Sequence, residues 1–282
     1  MRKGLILEGG SMRGMFTAGV LDVFMENDIK FDGVIGVSAG TVFGCNYKSH
    51  QKGRTIRYNK KHCSDYRYGS FKSWLKTGDV FDEELCYEII PYHDDPFDIE
   101  TYRKDPMEFY STVTDIETGE AVYYLCADGG RKDLKWFQAS ASMPLVSNTV
   151  YINDHGYLDG GISDSIPLKA MEEKGYDRNV CVLTRPKEYR KKKQIGLFLF
   201  KIMYKKYPKL VEAMAKRHLE YNKTLDYIRG KEEKGEVFVI RPPKAIEVSS
   251  LESDPERLQA AYDMGRETAS NCLDDLKEYL KK

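Results

Sequence analysis

The chain has 282 residues and carries 44 Lys+Arg against 44 Asp+Glu. It is long enough for one substantial core and is electrically balanced, so no global field points to nucleic acid and none is expected as a partner. Six cysteines form no CxxC pair and no Cys/His cluster at zinc-ligand spacing, so they read as reduced thiols without a disulfide framework or structural metal.

After Met1-Arg2-Lys3 only Leu5-Ile6-Leu7 is apolar before Glu8, too short for a signal peptide, and no apolar run reaches membrane-spanning length. A cytoplasmic protein is expected. Leu5-Ile6-Leu7 reads as a strand, Gly9 to Gly14 as a glycine-containing turn, and Phe16, Val20, Leu21, Val23 and Phe24 as one buried helical face ending near Asn27-Asp28. A second strand, Val34 to Val37, runs into Ser38-Ala39-Gly40 and another helix. Two parallel strands joined by a crossover helix put both turns at the carboxyl end of a sheet, where open α/β folds hold ligands.

From about 53 to 106 the composition shifts to Tyr, Lys, Arg and Asp with weak periodicity, as expected of an insertion of short helices placed to act as a lid. Two hairpins follow: 107–113 with 121–126 across a turn at 115–119, and 150–152 with 157–158 across a turn at 153–156. A helix is expected near 168–174, a strand at 180–183, a helical segment over about 191–229, a strand at 237–240 and a final helix over about 255–280. The expected organisation is a single catalytic domain over 1–282, with a motif-bearing core at about 4–185 and a helical C-terminal part at about 186–282.

Gly36-Val37-Ser38-Ala39-Gly40 is a GxSxG segment between a strand and a helix, the context in which the motif exposes a nucleophilic serine on a strained turn. Acyl transfer builds charge on the former carbonyl oxygen, and the small-residue loop Gly9-Gly10-Ser11 can offer backbone N–H groups to it. The helix that follows adds its positive end, and Arg13 braces the loop or adds charge. The same loop falls short of a dinucleotide fingerprint, because the middle glycine is absent and the next strand ends in the serine instead of an acidic ribose ligand.

A serine needs a base, and the histidines offer no good candidate. His50, His62 and His218 sit among Lys and Arg, His93 precedes two aspartates, and His155 occupies a hairpin turn. A carboxylate acting directly is the better choice, and Leu158-Asp159-Gly160-Gly161 presents Asp159 at a strand end beside glycines that permit close backbone approach. Asp is a weak base unless burial raises its pKa.

A glycine-rich turn with arginine, then GxSxG, then DGG, in that order, resembles the patatin-like phospholipase family. Ala139 to Pro144 and Ile166-Pro167-Leu168 are similar to its segments flanking the DGG aspartate, and the resemblance covers roughly 4–185. It implies a three-layer α/β/α patatin-like fold with a mostly parallel central sheet. It also implies a Ser/Asp dyad carried onto Ser38 and Asp159, supported by Gly36, Gly40, Gly160 and Gly161, with no metal or cofactor. The oxyanion hole falls on Gly9, Gly10 and Ser11, with Arg13 and Gly14 completing the motif. Glu8 stands where the family often has aspartate, and Ser11 where a third glycine is usual.

The expected activity is hydrolysis of acyl esters of phospholipids or simpler lipids. Carboxylesterase or acyltransferase action on the same dyad is the alternative, and lipid binding or regulation without turnover is the reading from another class. One further segment bears on partners: cations at 190–193 and 205–206 bound an apolar run from Ile195 to Tyr207, which fits either peripheral contact with a membrane over 190–207 or a substrate-covering helix with a solvated basic end.

Overall fold

The computed structural model describes residues 1–193 and 195–281. Strands β1 (Lys3–Leu7), β2 (Gly33–Val37), β3 (Glu108–Asp115), β4 (Ala121–Leu125), β5 (Val150–Ile152), β6 (His155–Asp159), β7 (Arg178–Val182) and β8 (Val237–Ile240) form a single sheet in the order β5-β6-β3-β2-β1-β7-β8, with β4 also on β3. Strands β3, β2, β1, β7 and β8 run parallel, and the antiparallel pairs are confined to the β3 side.

Strand alternation sorts the core into two layers. Leu5, Leu7, Val34, Val180 and Val182 face a cluster holding α1 (Gly14–Glu26), α2 (Ala39–Lys48), the insertion, α6 (Arg131–Ala141) and α10 (Pro255–Asn271). Ile6, Ile35 and Cys181 point the other way, onto α7 (Leu168–Glu173) and α9 (Pro208–Glu233). This is the three-layer α/β/α arrangement that the sequence leads one to expect.

The insertion consists of α3 (Arg54–His62), α4 (Phe71–Thr77), a π-helical stretch over Leu85–Asp94 containing Pro91, and α5 (Ile99–Lys104). Helix α6 was not apparent from composition, although Leu134, Phe137 and Ala141 carry the spacing of one helical face. The expected helical segment over 191–229 is two helices, α8 (Leu197–Met203) and α9, because Pro208 starts a new first turn, and 191–193 are not helical. Gln194 of that expectation lies outside the described residues. The expected final helix is likewise broken at Cys272 into α10 and α11 (Leu273–Lys281).

Helices α1 and α10 cross backbone on backbone. A Cβ on Gly19 would stand 2.1 Å from the Tyr262 carbonyl oxygen, and one on Gly265 would stand 2.0 Å from that of Phe16. Glycine is needed on both sides of this contact. Gly265→Val is therefore expected to cost more than the ~1–3 kcal/mol typical of overpacking, read as a fall in the denaturation midpoint. Gly230→Ala, on α9 with nothing within 4 Å of the new Cβ, should instead add about 0.5–1 kcal/mol through helix propensity.

Candidate active site

Strand β3 sets the geometry. β4 pairs along Tyr110–Thr114, whereas β2 pairs over Glu108–Thr112 and β6 over Val113–Asp115. Since β4 occupies one edge throughout, β2 and β6 must share the other, abutting end to end. Val37 pairs with Thr112 and Asp159 with Val113, so Ser38, one residue past the end of β2, arrives beside Asp159, the last residue of β6.

Where β2 leaves the ladder, Ser140 of α6 takes over its hydrogen bonds. Its hydroxyl donates to the Thr112 carbonyl at 2.7 Å, accepts the Ser38 N–H at 2.9 Å and meets the Thr41 hydroxyl at 2.9 Å. The turn holds Ser38 at φ 55°, a left-handed conformation that a serine adopts only under constraint. Gly40 and Gly160 are the close approaches that make this compact: a Cβ on either would stand 2.3 Å from the Leu7 or Thr112 carbonyl oxygen, respectively.

Asp159 is 1% exposed. Its N–H donates to the Ser142 carbonyl at 2.9 Å, its carbonyl accepts the Thr114 hydroxyl at 2.8 Å, and its Oδ1 accepts the Gly161 N–H at 2.7 Å. The Ser38 side chain lies beside the carboxylate and favours its charged form. Burial raises the Asp159 pKa above the ordinary carboxylate range, against the opposing pull of Ser38, Arg217, the Gly161 N–H and Lys191.

The loop after β1 closes over this pair. A Cβ on Gly9 would stand 3.0 Å from the Ser38 Cβ, and the N–H groups of Gly9 and Gly10 have no acceptor among the described residues. Ser11 takes the left-handed conformation (φ 50°) that a glycine would adopt freely, and its hydroxyl donates to the Ser250 carbonyl at 2.6 Å. Glu8 is buried and doubly used, accepting the Thr184 N–H at 2.6 Å and the Tyr221 hydroxyl at 2.6 Å.

A cavity of about 550 Å³ opens over the pair and is lined by Gly9, Gly10, Ser11, Arg13, Ser38, Asp159 and Gly161. Of the other residues singled out in sequence, Gly14 packs on Phe43, Gly36 on Thr41, Gly40 on Leu7 and Gly160 on Thr112. The apolar wall comes from α2, α6 and the insertion, including Phe43, Phe137, Phe81 and Ile90. No histidine lines the cavity among the described residues. Sequence reasoning missed Arg185, Arg217 and Tyr221, all of which line it. Only the spacing of Arg217 and Tyr221, four apart on one helical face, hinted at a joint role.

A family model described as patatin-like phospholipase matches residues 5–171, and one described as a domain of unknown function, DUF6363, matches 207–281. The uncharacterized protein YjjU of Escherichia coli (strain K12) is 27% identical, covering 94% of this chain and 75% of that protein. Lysophospholipase NTE1 of Cryptococcus neoformans var. neoformans serotype D is 27% identical over 66% of this chain, but the match spans 12% of that protein's length. Among solved structures, VipD from Legionella pneumophila shares the fold with a TM-score of 0.50 at 14% identity, covering 97% of this chain and 67% of that one.

The raised Asp159 pKa carries a stability cost with a definite sign. A carboxyl group whose folded pKa is raised contributes stability that is complete below its unfolded pKa and is lost as pH climbs through the folded value. Asp159→Asn is therefore expected to melt higher than the parent at pH 7, with the gain shrinking toward pH 4. Parallel thermal scans across that range check this, and a lower melting temperature for the variant at pH 7 contradicts it.

Proposed function

The chain belongs to the patatin-like phospholipase family, and on that premise we propose that it hydrolyses acyl esters of lipids with Ser38 as nucleophile and Asp159 as its base. Family membership and the likeness to a lysophospholipase support lipid hydrolysis in general. The observation that carries the residue assignment is a buried carboxylate of raised pKa beside a serine on a strained turn, both lining one largely apolar cavity.

In this reading the Ser38 Oγ attacks the ester carbonyl while its proton passes to Asp159. Charge growing on the carbonyl oxygen meets the backbone N–H groups of Gly9, Gly10 and Ser11. Asp159 then returns the proton to the departing alcohol and takes one from a water as its oxygen attacks the acyl carbon; as the Ser38 Oγ–acyl bond breaks, Asp159 gives that proton to Oγ, which frees the acid and restores Ser38. The raised pKa makes Asp159 a stronger base than an ordinary carboxylate.

Labelling with a fluorophosphonate tests the assignment. The parent should label, Ser38→Ala should not, and Asp159→Asn should slow by two orders of magnitude or more, roughly the size of general-base catalysis. The parent's labelling rate should rise with pH through a value above the ordinary carboxylate range, because Asp159 must be ionised to accept the proton. A folded parent that does not label overturns the reading, and activity confined to short soluble esters overturns its lipid part.

No helix among the described residues is long and apolar enough to cross a membrane. Helix α8 supports contact of another kind, since Phe198 is 72% exposed and Leu199, Ile202 and Met203 are exposed on the same helix, with Lys201 within it and Lys192, Lys193, Lys205 and Lys206 flanking it in sequence. Apolar side chains flanked by lysines complement an anionic lipid surface. In flotation assays the parent should accompany phosphatidylserine-containing vesicles, and a Phe198→Ser/Leu199→Ser variant should stay behind. Equal flotation of the two removes α8 from the contact.

A further inference from the structure

We propose that Arg185, Lys191 and Arg217 form an anion site beside Ser38 and Asp159 that holds a phosphate ester group. The proposal rests on the Ser38/Asp159 reading for its place in a reaction, but its residues lie beyond position 171, outside the stretch matched by the phospholipase model. Arg217 belongs to the stretch of unknown function at 207–281, which thereby acquires a task in the cleft.

The site is built, and its cations are unspent. All three line the cavity together with Arg13. Among the described residues none of the four pairs with a carboxylate, whereas Arg54, Arg190 and Arg241 each do. Two aromatic rings fix the geometry: Arg185 lies 4.4 Å from the Tyr189 ring centroid and Lys191 lies 4.3 Å from that of Tyr221. Tyr221 is itself anchored by its hydrogen bond to Glu8. Arg217, one turn earlier on α9, donates through Nε to the Gly161 carbonyl. The buried Nε of Arg13 has no hydrogen-bond partner among the described residues.

Arg54, paired with Asp95, and Asp79, held by Asn148, also line the cavity; its other four cations share it with two further carboxylates. Of these, Glu8 is occupied by Thr184 and Tyr221, and Asp159 is engaged with Ser38 and Gly161. The surplus positive charge is costly without a ligand. Burial and the cations Arg217, Arg13 and Arg185 push the Lys191 ammonium down to about 8, against the pull of Glu8. Two guanidinium groups and an ammonium lining one cavity match a tetrahedral oxyanion, which accepts several charge-assisted hydrogen bonds at once. With the apolar wall supplied by α2, α6 and the insertion, the cleft suits an acyl chain on one side of the scissile ester and a phosphate on the other.

The test compares a monoacylglycerol with its phosphate monoester of the same acyl chain, using the full-length protein. The parent should prefer the phosphorylated substrate in kcat/KM. In Arg185→Gln/Lys191→Met that preference should fall at least tenfold, mainly through KM, whereas Lys191→Arg should keep most of it. Inhibition of monoacylglycerol hydrolysis by inorganic phosphate, lost in the double variant, would show that the site also accepts the free anion. A lost preference without such inhibition would assign it to lipid-borne phosphate alone.

A preference unchanged in a double variant that melts like the parent overturns the proposal. Titration calorimetry with inorganic phosphate and with the phosphorylated lipid reads binding without turnover. If the parent fails to label with fluorophosphonate, the reaction reading falls by itself. Equal binding of both ligands by parent and double variant would then overturn the anion site separately.

Discussion

The site depends on one shared edge. Strand β3 is long enough to pair with β2 along its first part and with β6 along its last, on the same side. Two chain segments about 120 positions apart therefore finish at adjacent rungs of one ladder. A ladder pairing tolerates no slip without turning side chains to the other face of the sheet. The serine and the aspartate are thus located by backbone hydrogen bonds, with Ser140 and Ser142 filling the gap that the change of partner leaves.

Around that edge the protein accepts several local costs. A non-glycine residue is held in the left-handed region at Ser38 and again at Ser11, a carboxylate is buried, and a group of cations is gathered without carboxylate partners. Some are compensated by a neighbour: the Ser38 turn by Ser140, Ser11 by its bond to Ser250, Asp159 by the Gly161 N–H, and the buried Glu8 by Thr184 and Tyr221. Departures from low-energy local structure that cluster at one cleft, while the layers around it follow simple alternation, mark where stability has been exchanged for chemistry.

Much of the core was legible in sequence because its signals are local. The strand runs at 5–7 and 34–37, the glycine turns after them and the two hairpins are each read from one short continuous stretch, and Ser38 and Asp159 stood out through the turns that carry them. What stayed hidden depends on contacts across the whole chain. Nothing near Arg217 marks it as a neighbour of Asp159, because that proximity arises from the docking of α9 on the far face of the sheet. The break between α8 and α9 was lost because the helical spacing of Phe200, Tyr204 and Tyr207 runs on towards α9, although Pro208 carried the signal. Ser11, a departure from the usual glycine, proved compatible with the left-handed turn because its hydroxyl found an acceptor more than two hundred positions away.

That last contact has company. Tyr221 reaches Glu8, Ser250 receives Ser11, and α10 lies on α1 at Gly19 and Gly265, so the opening loop and helix are clasped by segments from the last quarter of the chain. Contacts of such long sequence separation form late and slow the search for the native state. During synthesis a ribosome-bound chain would already display Ser38 and Asp159, yet lack the braces that shape the loop above them. The cleft around Ser38 would then take its final shape only with the closing helices, and stay unfinished until the fold is complete.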